Sequence, residues 1–497
     1  MHPIDLLKPL RAHAGTRRTP GLDDATLARF GEYPELIEAV EAARAEYDQI
    51  KADIADLLDQ DEDAQVQAVQ AGYINFYSED AVNPYIALAA RGPWIVTLKG
   101  AVLHDSGGYG MLGLGHAPAS VIAAMAKPQA MANIMTPSLS QLRFERLLRD
   151  AIGFTGGGCP YTRFMCLNSG SESVSLAARI ADANAKLMTD TGGRHAGRTI
   201  KRVVVKGSFH GRTDRPALYS DSSRNTYLQH LASFRGESSV IAIAPYDVEA
   251  LRQVFAEADQ HGWFIEAIFL EPVMGEGDPG RALPVDFYAA ARELTREHGS
   301  LLLVDSIQAG LRAHGVLSIV DYPGFEGLDA PDMETYSKAL NAGQYPLSVL
   351  AVGERAAGLY KKGLYGNTMT TNPRALEVAC SVLRQVTPRL RENIRVRGTE
   401  AIAKLESLKH ESGGLITKVQ GTGLLFSCEL DPQFKCFGAG STEEWLRERG
   451  IGVIHGGVNS LRFTPPFTIT SQEIELLVEM IGRALKEGPR VQAAAAA

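Results

Sequence analysis

LLLVDSIQAG, residues 301–310, is the stretch whose reading decides the fold. Four apolar residues run without a polar break and end on Asp305. A run this short and this apolar reads as a strand covered on both faces, which is the pattern of a parallel sheet. The same motif recurs on either side. RFMCLNSG (163–170) is followed by the helix-prone SESVSLAARIADANAK (171–186), and RVVVKGSFHG (202–211) comes next. EAIFLEPVMGEG (266–277) precedes the helix-like FYAAARELTREHG (287–299), and DMETYSKAL (332–340) follows Asp305. Short apolar runs alternating with helical stretches predict an α/β fold, a mainly parallel sheet with helices on both faces. Polar and glycine-rich residues gather at the strand C-termini, where such sheets bind ligands.

Three of those strand ends carry chemistry. At Asn168-Ser169-Gly170-Ser171-Glu172, Gly170 permits a tight turn. The free N–H groups of the helix start, with the Ser171 hydroxyl, suit a phosphate dianion. The bland alternative is that Ser171 is only an N-cap. Asp305 follows four apolar residues, an expensive place for a carboxylate without a cation, a metal or a ring nitrogen as partner. A salt bridge or a helix cap would also satisfy it. Lys338 follows a predicted buried strand, where an amine loses its proton readily and can attack a carbonyl carbon; otherwise it snorkels to water. A phosphate cradle, a carboxylate for a pyridine nitrogen and a lysine for an aldehyde are together the handles of pyridoxal 5'-phosphate. Gly108-Tyr-Gly110-Met-Leu-Gly113 spells GxGxxG, but it precedes the sheet and lacks the acidic residue ~20 positions on, so it is read as a decoy.

Composition removes other classes. The chain has 497 residues, 45% of them hydrophobic and 22% charged, which excludes a wholly disordered or collagen-like protein. Lys and Arg number 50 against 58 Asp and Glu, a net charge of −8 that disfavours nucleic acid or an anionic membrane as partner. Cys159, Cys166, Cys380, Cys428 and Cys436 are odd in number and show no CxxC spacing, so a reducing compartment and no metal site are expected. No apolar run approaches the ~18 residues of a membrane span. The opening MHPIDLLKPLRAHAGTRRTP lacks a secretory apolar core, and Asp5, Asp23 and Asp24 argue against an organelle presequence, so a cytoplasmic enzyme is expected. Residues 34–58 place Leu36, Val40, Ala43, Tyr47, Ile50, Ile54 and Leu57 on one stripe. That predicts one amphipathic helix laid on the protein's own body, with a coiled-coil partner site as the other reading. The terminal alanines are expected to fray.

From about residue 93 to 485 the chain resembles the class III aminotransferases, pyridoxal-phosphate enzymes of fold type I. The motifs occur in family order: DSGGYGMLGLGH (105–116), LNSGSES (167–173), GSFHGRT (207–213), EPVMGEGDPG (271–280), VDSIQAG (304–310), YSKAL (336–340), GNTMTTNP (366–373), GTGLLF (421–426) and LRFTPPF (461–467). The resemblance implies a seven-stranded, mainly parallel sheet in a large domain, a smaller α+β domain and an N-terminal helical extension. The boundaries expected are 1–90 for the extension, 91–140 for the N-terminal part of the small domain, 141–380 for the large cofactor-binding domain and 381–490 for the C-terminal small domain.

Position by position, the resemblance implies that Gly170 and Ser171 hold the phosphate, Phe209 covers one ring face and Ile307 the other. Asp305 binds the ring nitrogen, Gln308 the ring hydroxyl, and Lys338 forms the Schiff base with the cofactor. Thr368 matches a threonine that family dimers send to the neighbour's phosphate, so a homodimer or larger homo-oligomer is implied. Arg462 matches a carboxylate-binding arginine, Glu276 a glutamate able to neutralise it, and Tyr109 and Arg212 match further substrate positions. The chain departs from the family at Ser306, where glutamate is usual, at Ser173-Val174-Ser175, at Asn341-Ala342-Gly343-Gln344 and at Arg312, one place early. The lead before Gly92 is also longer than usual.

The expected function is therefore a ping-pong aminotransferase passing an ω-amine or amino-acid amine to a 2-oxo acid. Aminomutase, decarboxylase or racemase chemistry on the same scaffold is the nearest alternative, which keto-acid-dependent turnover separates. An inert cofactor-binding or assembly protein is the remote one.

Overall fold

The computed structural model describes residues 3–491; the alanine tail expected to fray lies outside them. Strands are numbered along the chain: β1 (Ala87–Arg91), β2 (Trp94–Thr97), β3 (Val102–Asp105), β4 (Arg163–Leu167), β5 (Thr199–Val205), β6 (Val240–Ile243), β7 (Trp263–Leu270), β8 (Leu301–Asp305), β9 (Met333–Tyr336), β10 (Ser348–Val352), β11 (Ile416–Thr422), β12 (Leu425–Leu430), β13 (Ile451–Gly452), β14 (Ile454–Gly456) and β15 (Ser460–Phe463). The chain divides into two units. One comprises residues up to Ala119, Val396–Gln420 and the chain from Phe426; the other comprises Ser120–Arg395 and Gly421–Leu425.

The second unit is built on a seven-stranded sheet of order β4-β10-β9-β8-β7-β5-β6. β5, β6, β7, β8 and β9 pair in parallel, and β10 runs antiparallel to both its neighbours, β4 and β9. The expected mainly parallel seven-stranded sheet is therefore present, and β8 lies at its centre. Its apolar run is explained by what each face meets. Leu301 and Leu303 join a core with Val174, Ala177 and Ile180 of the helix Gly170–Thr189. Leu302 and Val304 join a separate core with Phe287 and Ala291 of the helix Val285–His298. Each such leucine contributes ~1.5–3 kcal/mol by leaving water, and no solvent face remains for a polar residue until the strand ends.

The start of β9 is fixed by Asp332, which is buried. Its carboxylate accepts from Arg292 Nη1 at 2.8 Å, from Arg355 Nη2 at 2.8 Å and from the Leu302 N–H at 2.9 Å. One side chain thus ties two helices and β8 to the entry of β9.

In the first unit, β1, β2, β3 and β13 form one sheet, and β11, β12, β15 and β14 another. The helix Pro34–Ile50 packs on β1 and β2, so it lies on the protein's own body. It ends at Ile50 rather than running to 58, and a short helix, Ala55–Leu58, follows a turn. Leu36, Val40, Ala43 and Tyr47 are buried, but Ile50, Ile54 and Leu57 are not fully covered, so packing stops supporting the stripe after Tyr47. The GxGxxG segment is a loop after β3 that does not open a helix, in keeping with its reading as a decoy. No helix among the described residues is long and apolar enough to cross a membrane.

Asp332→Asn removes a charge facing Arg292, which is itself buried. Breaking a buried pair while leaving one charge in place costs ~3–5 kcal/mol. Thermal melting should show Asp332→Asn several degrees less stable, and a wild-type melting temperature would mean that Asp332 does not anchor β9.

Candidate active site

Five parallel strands deliver their C-terminal ends to one edge of the sheet. The turn after β4 carries Asn168–Gly170, that after β5 Gly207–Gly211, that after β7 Glu271–Glu276, the end of β8 Asp305–Gln308 and the turn after β9 Ser337–Lys338. Gly170, Ser171, Phe209, Arg212, Glu276, Asp305, Ile307, Gln308 and Lys338, all singled out from the sequence, therefore lie on one edge of one unit.

Asp305 is 5% exposed. Its Oδ2 accepts from His210 Nδ1 at 2.8 Å, and its Oδ1 accepts from Thr335 Oγ1 at 3.1 Å and the Ile307 N–H at 3.2 Å. A carboxylate has about four lone-pair positions, so three donors leave room for one more.

Ser169, not Ser171, caps the helix Gly170–Thr189. Its Oγ accepts from the Glu172 N–H, and Glu172 Oε2 accepts in return from the N–H groups of Ser169 and Asn168. Ser171 thus stands in the first turn with its hydroxyl outside the cap. Two close approaches shape this end. A Cβ on Gly170 would lie 2.7 Å from Ile307 Cδ1. Gly211, at φ +108°, turns toward Ser171 so tightly that a Cβ there would lie 2.2 Å from the Ser171 Oγ. Neither position has room for a side chain, and Gly211 has a backbone conformation suited to glycine.

The Phe209 ring is half-buried, with the exposed Arg212 guanidinium stacked 4.8 Å from its centroid. Lys338 follows β9 at φ +41°, an uncommon left-handed conformation for a non-glycine residue. Gln308 Nε2 is buried without a hydrogen-bond partner. Thr368 is exposed, and its neighbour Asn367 bonds Asn168 Nδ2 at 3.0 Å and Glu172 Oε1 at 3.1 Å.

Tyr109 and Arg462 belong to the other unit. The Arg462 guanidinium lies 5.5 Å from the Tyr109 ring centroid, and Tyr109 stacks on Tyr77 at 6.0 Å. Tyr109 also lines a cavity of about 630 Å³ with Tyr77, Tyr85 and His116.

Sequence reading missed His210, Thr335 and Glu271. Glu271 follows the apolar run of β7 just as Asp305 follows that of β8, so the same signal marked it. It accepts from the N–H groups of Phe209 at 3.0 Å and Gly275 at 2.9 Å. Burial pushes its carboxyl up to about 7. His210 and the two amides pull the other way, and Asp305 adds to the rise.

The sequence profile described as "Aminotransferase class-III" matches residues 76–485. The chain belongs to the class III aminotransferases. It is 31% identical to the acetylornithine aminotransferase of Xanthomonas campestris over 314 residues, covering 63% of this chain and 71% of that one. It is 28% identical to the putrescine aminotransferase of Pectobacterium atrosepticum over 418 residues, 81% of each chain. The ornithine aminotransferase structure from Toxoplasma gondii shares the fold with a TM-score of 0.73 at 24% identity, over 88% of this chain and 98% of that one. This aminotransferase uses pyridoxal 5'-phosphate and transfers an amino group to a 2-oxo acid. Its residues fit that cofactor. Asp305 retains capacity for a ring N–H, Gln308 holds an unused buried donor, and the Gly170 helix start offers amides to a phosphate.

In the cofactor-free enzyme Glu271 also shapes stability. Unfolded, it ionises near its ordinary 4.5; folded, near 7. Between those values the folded state holds more protons, so stability is full below about 4.5 and falls as pH rises toward 7, by up to ~3 kcal/mol. Melting temperatures measured from pH 4.5 to 8 should show this slope in wild type and lose it in Glu271→Gln. An unchanged slope would rule out Glu271 as its source.

Proposed function

We propose that this aminotransferase carries its cofactor on the carboxyl edge of the seven-stranded sheet and takes its amine from a donor with a terminal, ω-amino group. The observation that carries the reading is Asp305, a buried carboxylate held by three donors with capacity for a fourth. In this reading residues 141–380 are the cofactor-binding domain, 91–140 and 381–490 the small domain, and 1–90 its helical extension.

Pyridoxal phosphate, when bound, supplies an aldehyde and an electron-accepting ring. Gly170 and Ser171 hold its phosphate through the helix N–H groups and a hydroxyl. Phe209 and Ile307 would cover its ring, and Gln308, with its unused donor, would bond the ring hydroxyl. Asp305 accepts the ring N–H and keeps that proton in place, while His210 and Thr335 hold Asp305 still. Lys338 would hold the cofactor through its aldehyde, the group it supplies for amine chemistry. Its Nζ would also serve as general base toward the proton on the donor's amine-bearing carbon. Arg462, beside Tyr109, reads a substrate carboxylate with its planar fork. Arg212 and Glu276 are the remaining charged substrate positions.

The donor class rests on the relatives' names, since acetylornithine, putrescine and ornithine all carry an amine at a chain end. We also propose a homodimer, with Thr368 reaching the partner's phosphate. It is supported by the motif GNTMTTNP and by an exposed apolar segment, Met131, Ile134, Met135, Leu139 and Leu142, of the kind that marks an association surface. A cytoplasmic location is supported by five free thiols, four of them buried.

Borohydride reduction of the loaded enzyme followed by peptide mapping should place the cofactor on Lys338, and Lys338→Ala should abolish turnover across a panel of amine donors. A label on another lysine would overturn the assignment. Arg462→Lys keeps the charge but loses the fork, so the keto-acid half-reaction should weaken by ~1–3 kcal/mol. The half-reaction with a donor lacking a carboxylate should change much less. Equal losses in the two half-reactions would reassign Arg462 to a general structural role.

A further inference from the structure

Two residues beyond the anchor of β9 at Asp332 lies a second buried carboxylate, Glu334, fully inaccessible to solvent. Its Oε1 accepts from Ser306 Oγ at 2.6 Å and from the Ile319 N–H at 2.9 Å. Its Oε2 accepts from Tyr161 OH at 2.7 Å, Tyr336 OH at 2.9 Å and Ser318 Oγ. Five donors from four segments thus converge on one side chain. Three of the donors, Ser306 Oγ, Ser318 Oγ and the Ile319 N–H, belong to the loop that follows β8, and that loop carries Ile307 and Gln308.

Adjacent residues of a strand point to opposite faces, and β9 uses both. Thr335 reaches Asp305 Oδ1 from one face, while Glu334 takes Ser306 from the other. The backbone adds a third tie, from the Ser306 N–H to the Thr335 carbonyl at 3.0 Å. The Asp305–Ser306 turn is therefore gripped from both sides of one strand. Neutral packing would fill the same space, but it could not accept two hydroxyls, a backbone N–H and two phenols. A buried network of this kind rigidifies when all its members are satisfied.

We propose that Glu334 is a positioning residue for the cofactor: through Ser306 Oγ and the Ile319 N–H it sets where Asp305 holds its carboxylate, and so how strongly the bound ring keeps its proton. The inference rests on the reading of Asp305 as the group opposite the ring nitrogen.

The two oxygens of Glu334 allow a matched comparison. Ser306→Ala removes one hydroxyl from Oε1, on the side of Asp305. Tyr161→Phe removes one hydroxyl from Oε2, away from it. Each variant is purified with its cofactor, and three quantities are measured: the pH midpoint of the cofactor's absorption band, kcat and KM in the donor half-reaction, and the melting temperature of the cofactor-free protein. Ser306→Ala should move the midpoint by roughly half a pH unit or more and lower kcat about 3- to 10-fold at unchanged KM, the scale of one hydrogen bond. Tyr161→Phe should lower the melting temperature and leave the midpoint in place. Glu334→Gln should move the midpoint further in the direction set by Ser306→Ala.

If both hydroxyl deletions lower stability and neither moves the midpoint, Glu334 is a fold anchor only and the inference is overturned. Equal midpoint shifts in both variants would overturn it as well, since the effect would not pass through Ser306. Asp305→Asn, run alongside, separates the two readings. If it shifts the band and Ser306→Ala does not, the role of Glu334 alone fails. If Asp305→Asn leaves the band unchanged, the reading of Asp305 itself fails.

Discussion

The structure turns on burying Asp305 at the end of a strand that has no solvent face. A carboxylate in such a place is costly unless its charge is met and its lone pairs are filled. Here the partners come from three directions: His210 from the loop after β5, Thr335 from β9 and the Ile307 N–H from its own turn. None is a lysine or arginine, so the local charge is not neutralised by a fixed cation of the chain. A permanent Arg partner would have closed the site by satisfying it. Hydrogen-bond donors hold the oxygens while keeping capacity for a cationic ring nitrogen, and a cofactor acid needs that condition.

The sheet around Asp305 follows from the same demand. A central strand must be covered on both faces, and the helices Gly170–Thr189 and Val285–His298 supply the two covers. The first of these helices also starts at the turn after β4, so one element packs the core and presents its N-terminal amides to the edge. β9 has a matching double duty. Asp332 pins its start to two helices and β8, and Glu334 and Thr335 clamp the turn beside its end. Strand order thus places chemically useful groups side by side although they are far apart in the chain.

The first unit answers the question raised by the long lead before Gly92. Residues 3–90 belong to that unit and supply part of its core, while Tyr73, Ile74 and Phe76 stay exposed. Leu36, Val40, Ala43 and Tyr47 pack the helix Pro34–Ile50 onto β1 and β2, and the buried Glu62 accepts from the N–H groups of Arg18 and Thr19. Tyr77 then stacks on Tyr109. The extension is therefore continuous with the loop after β3 that carries Tyr109.

By itself the sequence determined the α/β class, the run of strands and the polar strand ends at Gly170–Ser171, Asp305 and Lys338 that the sheet gathers on one edge. These signals are local: an apolar run bounded by a polar residue, or glycine and serine before a helix, can be read within ten residues. It also marked Ser306 as a departure, but not what answers it. The partners of Asp305, the carboxylate that Glu334 brings to Ser306 and the burial that pushes Glu271 up were decided only in the tertiary structure. Apart from the Ile307 N–H, each joins residues tens of positions apart, brought together by a strand order that packing sets and spacing along the chain does not. The helix expected over 34–58 failed for a related reason. Its apolar stripe continues in the sequence, but the surface it packs against ends after Tyr47, and a helix holds in water chiefly where its apolar face is covered.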